Sequence, residues 1–151
     1  MIITDESKLR APCTNAGLNE VIEIITKLEG ELDHSFEIGK PGIGLSAIQI
    51  GIQKNVAIVR ISTGTGIFYN VNLVNCRIAE GYDKSEFIGE GCLSFPNLIV
   101  TTSRYREIKV VENLMEPQKF VATGLFAVCI QHELDHLKGI LLPDLALKRQ
   151  V

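Results

Sequence analysis

An α+β fold is predicted, with antiparallel or mixed β-strands packed around a central buried helix and a further helix near the N-terminus. Three observations predict it. Apolar residues recur at helical spacing early in the chain, runs rich in β-branched residues fill its middle, and a stretch apolar on every side precedes its end. Helix, then strands, then helix is the order of a segregated α+β layout, not of alternating β–α units.

Taken in order, residues 1–10 read MIITDESKLR, acidic first and without the apolar stretch of a signal peptide. A cytoplasmic location is the expectation, with thiols kept reduced. Cys13, Cys76, Cys92 and Cys129 are then core residues or metal ligands rather than bridges. Leu18, Val21, Ile22, Ile25, Leu28 and Leu32 define one face of an amphipathic helix over residues 15–33, capped by Thr14 or Asn15. His34 falls just past it. Residues 39–51 hold four glycines, which marks a backbone that turns or is approached closely. No phosphate-loop pattern is present there, and a tight loop serving a peptide-like ligand fits better.

Strands are expected over residues 55–61, 67–78, 98–102, 107–112 and 119–122, with residues 113–117 as a hairpin turn. Residues 125–137 begin with six apolar residues in a row, the mark of a helix buried in mid-domain, and Gly139 is a natural stop. No repeat or linker interrupts the chain, so residues 1–151 read as one domain. With 46% apolar residues and a net charge of −3, the chain is neither disordered nor a phosphate-gripping nucleic-acid binder. No run approaches the roughly 18 apolar residues of a membrane span.

The buried helix carries His132, Glu133, Leu134, Asp135 and His136. Residues i and i+4 share a helix face, so both imidazoles can address one ion. Glu133 can reach a water there, as in the H-E-x-x-H sites of hydrolytic metal centres. A third ligand is needed. Leu142 stands where a third histidine would close one protease pattern, and no Glu occurs among the 15 residues after His136. The ligand is therefore upstream, and Cys92 in Glu90-Gly91-Cys92-Leu93-Ser94 is the best candidate, 40 positions before His132.

Three ordered motifs now stand together: GIGLSAIQ at residues 42–49, EGCLS at 90–94 and HELDH at 132–136. On these the chain closely resembles the peptide deformylase family, over residues 39–144, about 70% of its length. The resemblance implies removal of the N-formyl group from the starting methionine of new polypeptides, with release of formate. It implies Cys92, His132 and His136 as metal ligands, Glu133 as general base and acid, and Gln49 with the Leu93 backbone N–H as partners of the formyl oxygen. Ile43, Ile88, Leu125, Val128 and Cys129 would line a methionine pocket. Gly44 and Gly91 would pair with the substrate backbone, and Arg104 would help hold the peptide. Glu90 and Asp135 are candidate acids behind the ligating histidines.

A Cys-His-His set suits Zn²⁺, Fe²⁺, Co²⁺ or Ni²⁺, and the resemblance favours Fe²⁺. Partners implied are N-formylmethionyl nascent peptides, without membrane or sequence-specific nucleic-acid contact. Longer relatives carry a C-terminal helix linked to ribosome docking, so any ribosome association is expected by another route, and the short form suits a phage or organellar variant. Two other readings stay open at this point. One is a small metalloprotease with an upstream Cys ligand, and the other is a non-catalytic metal-binding module with four protein ligands.

Overall fold

The computed structural model describes residues 1–62, 66, 68–113 and 118–149. A short helix that the sequence pattern does not announce, α1 (Glu6–Leu9), is capped by Asp5, whose side chain accepts the Ser7 N–H at 2.9 Å. Helix α2 (Leu18–Glu37) follows. It starts later than expected, at Gly17 rather than Thr14 or Asn15. There the Glu20 carboxylate accepts the Gly17 N–H at 2.8 Å. It also runs one turn further, so that His34 lies within it.

The buried face of α2 is Ile24, Leu28, Leu32 and Ser35. Leu18 and Ile22, assigned to that face from their spacing, are 55% and 79% exposed. The apolar stripe is wider than the surface it packs on, and its contact edge is set by the sheet beneath.

Strand β1 (Gly44–Ser46) leads into a 3₁₀ turn over Ala47–Ile50, then β2 (Val56–Ser62) and β3 (Phe68–Val74). These strands form an antiparallel sheet in the order β1-β2-β3, with Gly44 opposite Val59 and Val56 opposite Val74. Strand β2 is buried on both sides. Ala57, Val59 and Ile61 face one apolar cluster, and Val56 and Ile58 face another beneath α2. A strand buried twice reads as a continuous apolar run, as residues 56–59 do.

The second sheet departs from the expectation. Residues 67–78 are not one strand, because Asn75 adopts a φ of 53° and separates β3 from β4 (Cys76–Cys92). The buried Asn75 side chain accepts the Ala16 N–H and donates to the Ala16 carbonyl, which holds the break in place. The two short strands expected over residues 98–112 are one, β5 (Phe95–Glu112). It pairs antiparallel with β4 along a long ribbon, with β6 (Gln118–Thr123) and β7 (Lys148–Arg149) on its other side. Of the expected turn over residues 113–117, all but Asn113 lies outside the described residues.

Helix α3 (Gly124–Leu137) packs between the sheets, against β1 and β2 on one side and β5 and β6 on the other. Ala127, Ile130 and Leu134 enter the cluster formed by Val59, Leu73, Ile108 and Val110. The predicted central helix and α+β class are thus observed. No helix among the described residues is long and apolar enough to cross a membrane.

Beyond α3, Gly139 turns the chain with a φ of 74° into α4 (Leu142–Leu145). Arg10 clasps this end. Its Nη1 donates to the Gly139 carbonyl at 2.9 Å, and Nη1 and Nη2 donate to the two Asp144 oxygens at 2.9 and 2.8 Å. Hydrogen bonding from Arg10, then from the Leu141 N–H, brings the Asp144 carboxyl down to about 2. A lowered carboxyl stabilises the fold above its ordinary value near 4, and this is lost as pH falls towards 2. Comparing thermal midpoints of the wild type and Arg10→Met is therefore expected to show a small gap above pH 4 that closes towards pH 2. The gap is small because solvent screens the pair.

Candidate metal centre

Two elements meet at the site. The β4–β5 hairpin closes at Cys92 opposite Phe95, which presents Cys92 at a strand end with Leu93 and Ser94 in the turn. Helix α3 presents His132 and His136 one turn apart. The Cys92 Sγ, a His132 nitrogen and a His136 nitrogen lie within 4.8 Å of one another. Cys92 Sγ is 3.2 Å from His136 Nε2, which is 3.2 Å from His132 Nε2. Such separations are close to the edges, about 3.3–3.6 Å, of a tetrahedron with bonds of roughly 2.0–2.3 Å.

The surroundings prepare these donors. Glu90 is buried at the end of β4, where its Oε1 accepts from Thr102 Oγ1 at 2.8 Å and Arg104 Nε at 2.9 Å. Its Oε2 accepts from Arg104 Nη2 and from His132 Nδ1 at 2.9 Å. A carboxylate only accepts, so the His132 proton sits on Nδ1 and its Nε2 lone pair faces Cys92 and His136. Burial by itself would raise the Glu90 carboxyl, but hydrogen bonds from Arg104 and His132 outweigh it and bring it to about 2. Burial, the largest cause, holds the His136 imidazole well below its ordinary value. A neutral imidazole is the form that binds a metal.

Glu133 is 2% exposed, and neither of its oxygens has a hydrogen-bond partner among the described residues. Burial pushes its carboxyl up to about 7. A buried, unpartnered carboxyl beside three convergent soft and borderline donors fits a bound divalent ion with a water beside it. Gly44 makes room for it, since a Cβ there would stand 2.8 Å from Glu133 Oε2.

A cleft of about 550 Å³ opens over these groups, between the edges of β1 and β4. It is lined by Ile43, Gly44, Gln49, Gly91, Leu93, Leu125, Val128 and Cys129, together with Cys92, His132 and Glu133. Gln49 is held by its Oε1, which accepts from the Ser46 N–H and Oγ at 3.0 Å each. Its Nε2 donates to Ser94 Oγ at 3.1 Å and lies 3.6 Å from Cys92 Sγ. Burial pushes the Cys129 thiol up to about 12, so it serves as an apolar wall.

Two expected cleft residues lie elsewhere. Ile88 is 67% exposed and outside the lining. The β4–β5 register shifts between Phe87 and Glu90, where Gly89 has a φ of 88°, and this bulge brings Phe87 and Gly89 to the cleft instead. Arg104 is 5% exposed and meets Glu90 and Asp135, not the cleft. It is a buried cation between the two acids behind the histidines. Ser46, Ser94, Thr102, Leu98 and Ile99 are further groups at or behind the site that the sequence reasoning did not single out. Ser94, two residues from Cys92, and Ser46, inside the GIGLSAIQ motif, had a signal close at hand.

Fold and site together define a small α+β protein with an H-E-x-x-H helix and a Cys-His-His donor set. The family model for polypeptide deformylase matches residues 2–150, and the chain belongs to that family. A peptide deformylase of Prochlorococcus marinus (strain MIT 9312) is 37% identical over 129 residues, which are 84% of this chain and 64% of that protein. The match thus covers less than two thirds of that relative's length. The crystal structure of a probable peptide deformylase from synechococcus phage S-SSM7 is 32% identical, with a TM-score of 0.79 over 96% of this chain and 98% of that one. A peptide deformylase from Synechococcus elongatus, solved in complex with actinonin, is 29% identical with a TM-score of 0.82 over 98% of this chain and 78% of that one.

Proposed function

We propose that the protein is a metal-dependent amide hydrolase that removes the N-formyl group from the formylmethionine of newly made polypeptides. The observation that carries this is the buried, unpartnered Glu133 carboxyl beside the converging Cys92, His132 and His136 atoms, at the floor of a cleft that also holds Gln49.

Cys92 Sγ, His132 Nε2 and His136 Nε2 would hold a divalent ion, which would supply Lewis-acid activation of water at neutral pH. Glu133 takes the proton released as water adds to the formyl carbon. Gln49 Nε2 and the Leu93 backbone N–H receive the oxygen on which negative charge develops. Glu133 then returns the proton to the departing nitrogen, giving formate and a free amine. Leu125, Val128 and Cys129 offer apolar walls for the methionine side chain, and Ile43 closes them from the β1 side. Gly44 and Gly91 lie on the two strand edges facing the cleft, where an extended peptide can add as a strand.

The donor set accepts several ions, and Fe²⁺ is our choice for the physiological one, in a cytoplasmic protein acting on nascent chains. Loading the metal-free chain anaerobically with Fe²⁺, Zn²⁺, Ni²⁺ or Co²⁺ and measuring formate release from formyl-Met-Ala-Ser tests both points. Cleavage only of an internal peptide bond would replace this reading with that of a protease. Gln49→Ala is expected to lower turnover by about 10²–10³-fold, the loss of one oxyanion donor, with the metal content unchanged. Unaltered turnover removes Gln49 from that role.

A further inference from the structure

We infer that residues 2–10 form a brace in which the Ile3 backbone N–H positions the Gln49 carboxamide, making Ile3 a positioning residue for the reaction proposed above, on which this inference rests. Gln49 lies in the 3₁₀ turn Ala47–Ile50, a geometry with weak internal hydrogen bonds. Within that turn the Gly51 N–H donates to the Ile48 carbonyl and the Ile52 N–H to the Ala47 carbonyl. The Gln49 carbonyl is taken by neither. It accepts the Ile3 N–H at 2.7 Å. Most buried carbonyls in folded proteins have a donor, and this bond gives the Gln49 carbonyl one and ties the turn to the N-terminal segment. The Gln49 carboxamide is bonded to Ser46 beside its own turn and to Ser94 beside Cys92, so a shift of the turn pulls these two anchors apart and changes how the carboxamide sits between them.

The brace is anchored at both ends. Ile2 packs with Ile50, Ile52 and Leu93 on the core beneath α2. Ile3 Cδ1 lies 3.4 Å from where a Cβ on Gly51 would stand. Leu9 is wholly buried, and Arg10 holds the Gly139 carbonyl just beyond α3. The segment therefore spans from the turn carrying Gln49 to the end of the helix carrying His132, Glu133 and His136.

Ile3→Pro removes the N–H, while Ile3→Val keeps it and trims one methylene. With formyl-Met-Ala-Ser, Ile3→Pro is expected to lower kcat about tenfold with KM changed less than twofold, because misplacement alone weakens a catalytic group. Ile3→Val is expected to match the wild type. The bound metal is expected to stay at the wild-type level in both variants. The Gln49 side-chain carboxamide resonances, assigned by their loss in Gln49→Ala, are expected to move in Ile3→Pro and stay in Ile3→Val. If Ile3→Pro does not fold, a chain with an ester in place of the Ile2–Ile3 peptide bond lacks the same N–H, keeps both side chains and is read the same way. Unmoved carboxamide resonances, an unchanged kcat, an equal loss in Ile3→Val, or a loss confined to KM each overturn the brace. Absence of formate release from the wild type overturns the reading of function instead, and the resonances then decide the brace alone.

Discussion

Glu133→Gln is expected to reduce formate release by about 10²–10⁴-fold, the contribution of a positioned general base and acid. The substitution keeps the shape of the side chain and removes its ability to hold a proton in transit. The three converging donor atoms belong to Cys92, His132 and His136, so the metal content is expected to stay at the wild-type level. Stability provides a second readout. Both Glu133 oxygens are buried without a hydrogen-bond partner among the described residues, and burial raises the carboxyl to about 7. An acid raised in this way destabilises the fold at pH values above its ordinary range. An amide carries no charge, so the metal-free variant is expected to melt higher than the metal-free wild type. Activity and stability moving in opposite directions is the signature of a group kept for chemistry. Loss of the metal together with the activity would make Glu133 a ligand, and unchanged turnover would remove it from the reaction.

The parts of this site readable from the sequence are those set by local geometry. His132 and His136 share a face because a helix brings i and i+4 together, and the helix was legible because its first turns are apolar all round. Cys92 followed from chemistry, since two imidazoles need a third donor. The β4–β5 ribbon was less legible. Residues 79–91 read AEGYDKSEFIGEG, and most of them face solvent, so their strand conformation comes from pairing with β5 rather than from an apolar alternation of their own. Ile88 was misplaced for a related reason. A bulge changes which side chains of a strand face the site, and no local pattern announced it. The α2 face was drawn too far towards Leu18 and Ile22, because spacing finds a stripe but not the edge of the surface that covers it. Ile3 carries no side-chain signal at all, since its contribution is a backbone N–H.

Arg104 shows the remaining kind of illegibility, because its meaning depends on residues 14 and 31 positions away. Its guanidinium sits between Glu90 and Asp135, and Glu90 in turn orients His132. Burial disfavours the charge, yet Glu90 and then Asp135 hold it on firmly. Arg104→Met is therefore expected to destabilise the protein by about 3–5 kcal/mol, since it strands two carboxylates in a buried site. Urea midpoints at constant slope measure this. Glu90→Gln in the Arg104→Met background removes one stranded charge and is expected to recover part of the loss. Arg104→Lys is expected to fall between, because an ammonium cannot make the paired contacts that Nε and Nη2 make to the two Glu90 oxygens. Metal affinity provides the functional readout. With Glu90 no longer clamped, His132 Nδ1 loses a fixed acceptor, and affinity is expected to drop about 10–100-fold. The cleft itself is untouched, so KM for formyl-Met-Ala-Ser in the fully metal-loaded variant is expected to stay near the wild-type value. A rise in KM with metal affinity intact would return Arg104 to the role of a peptide contact, which its burial and its two acidic partners argue against.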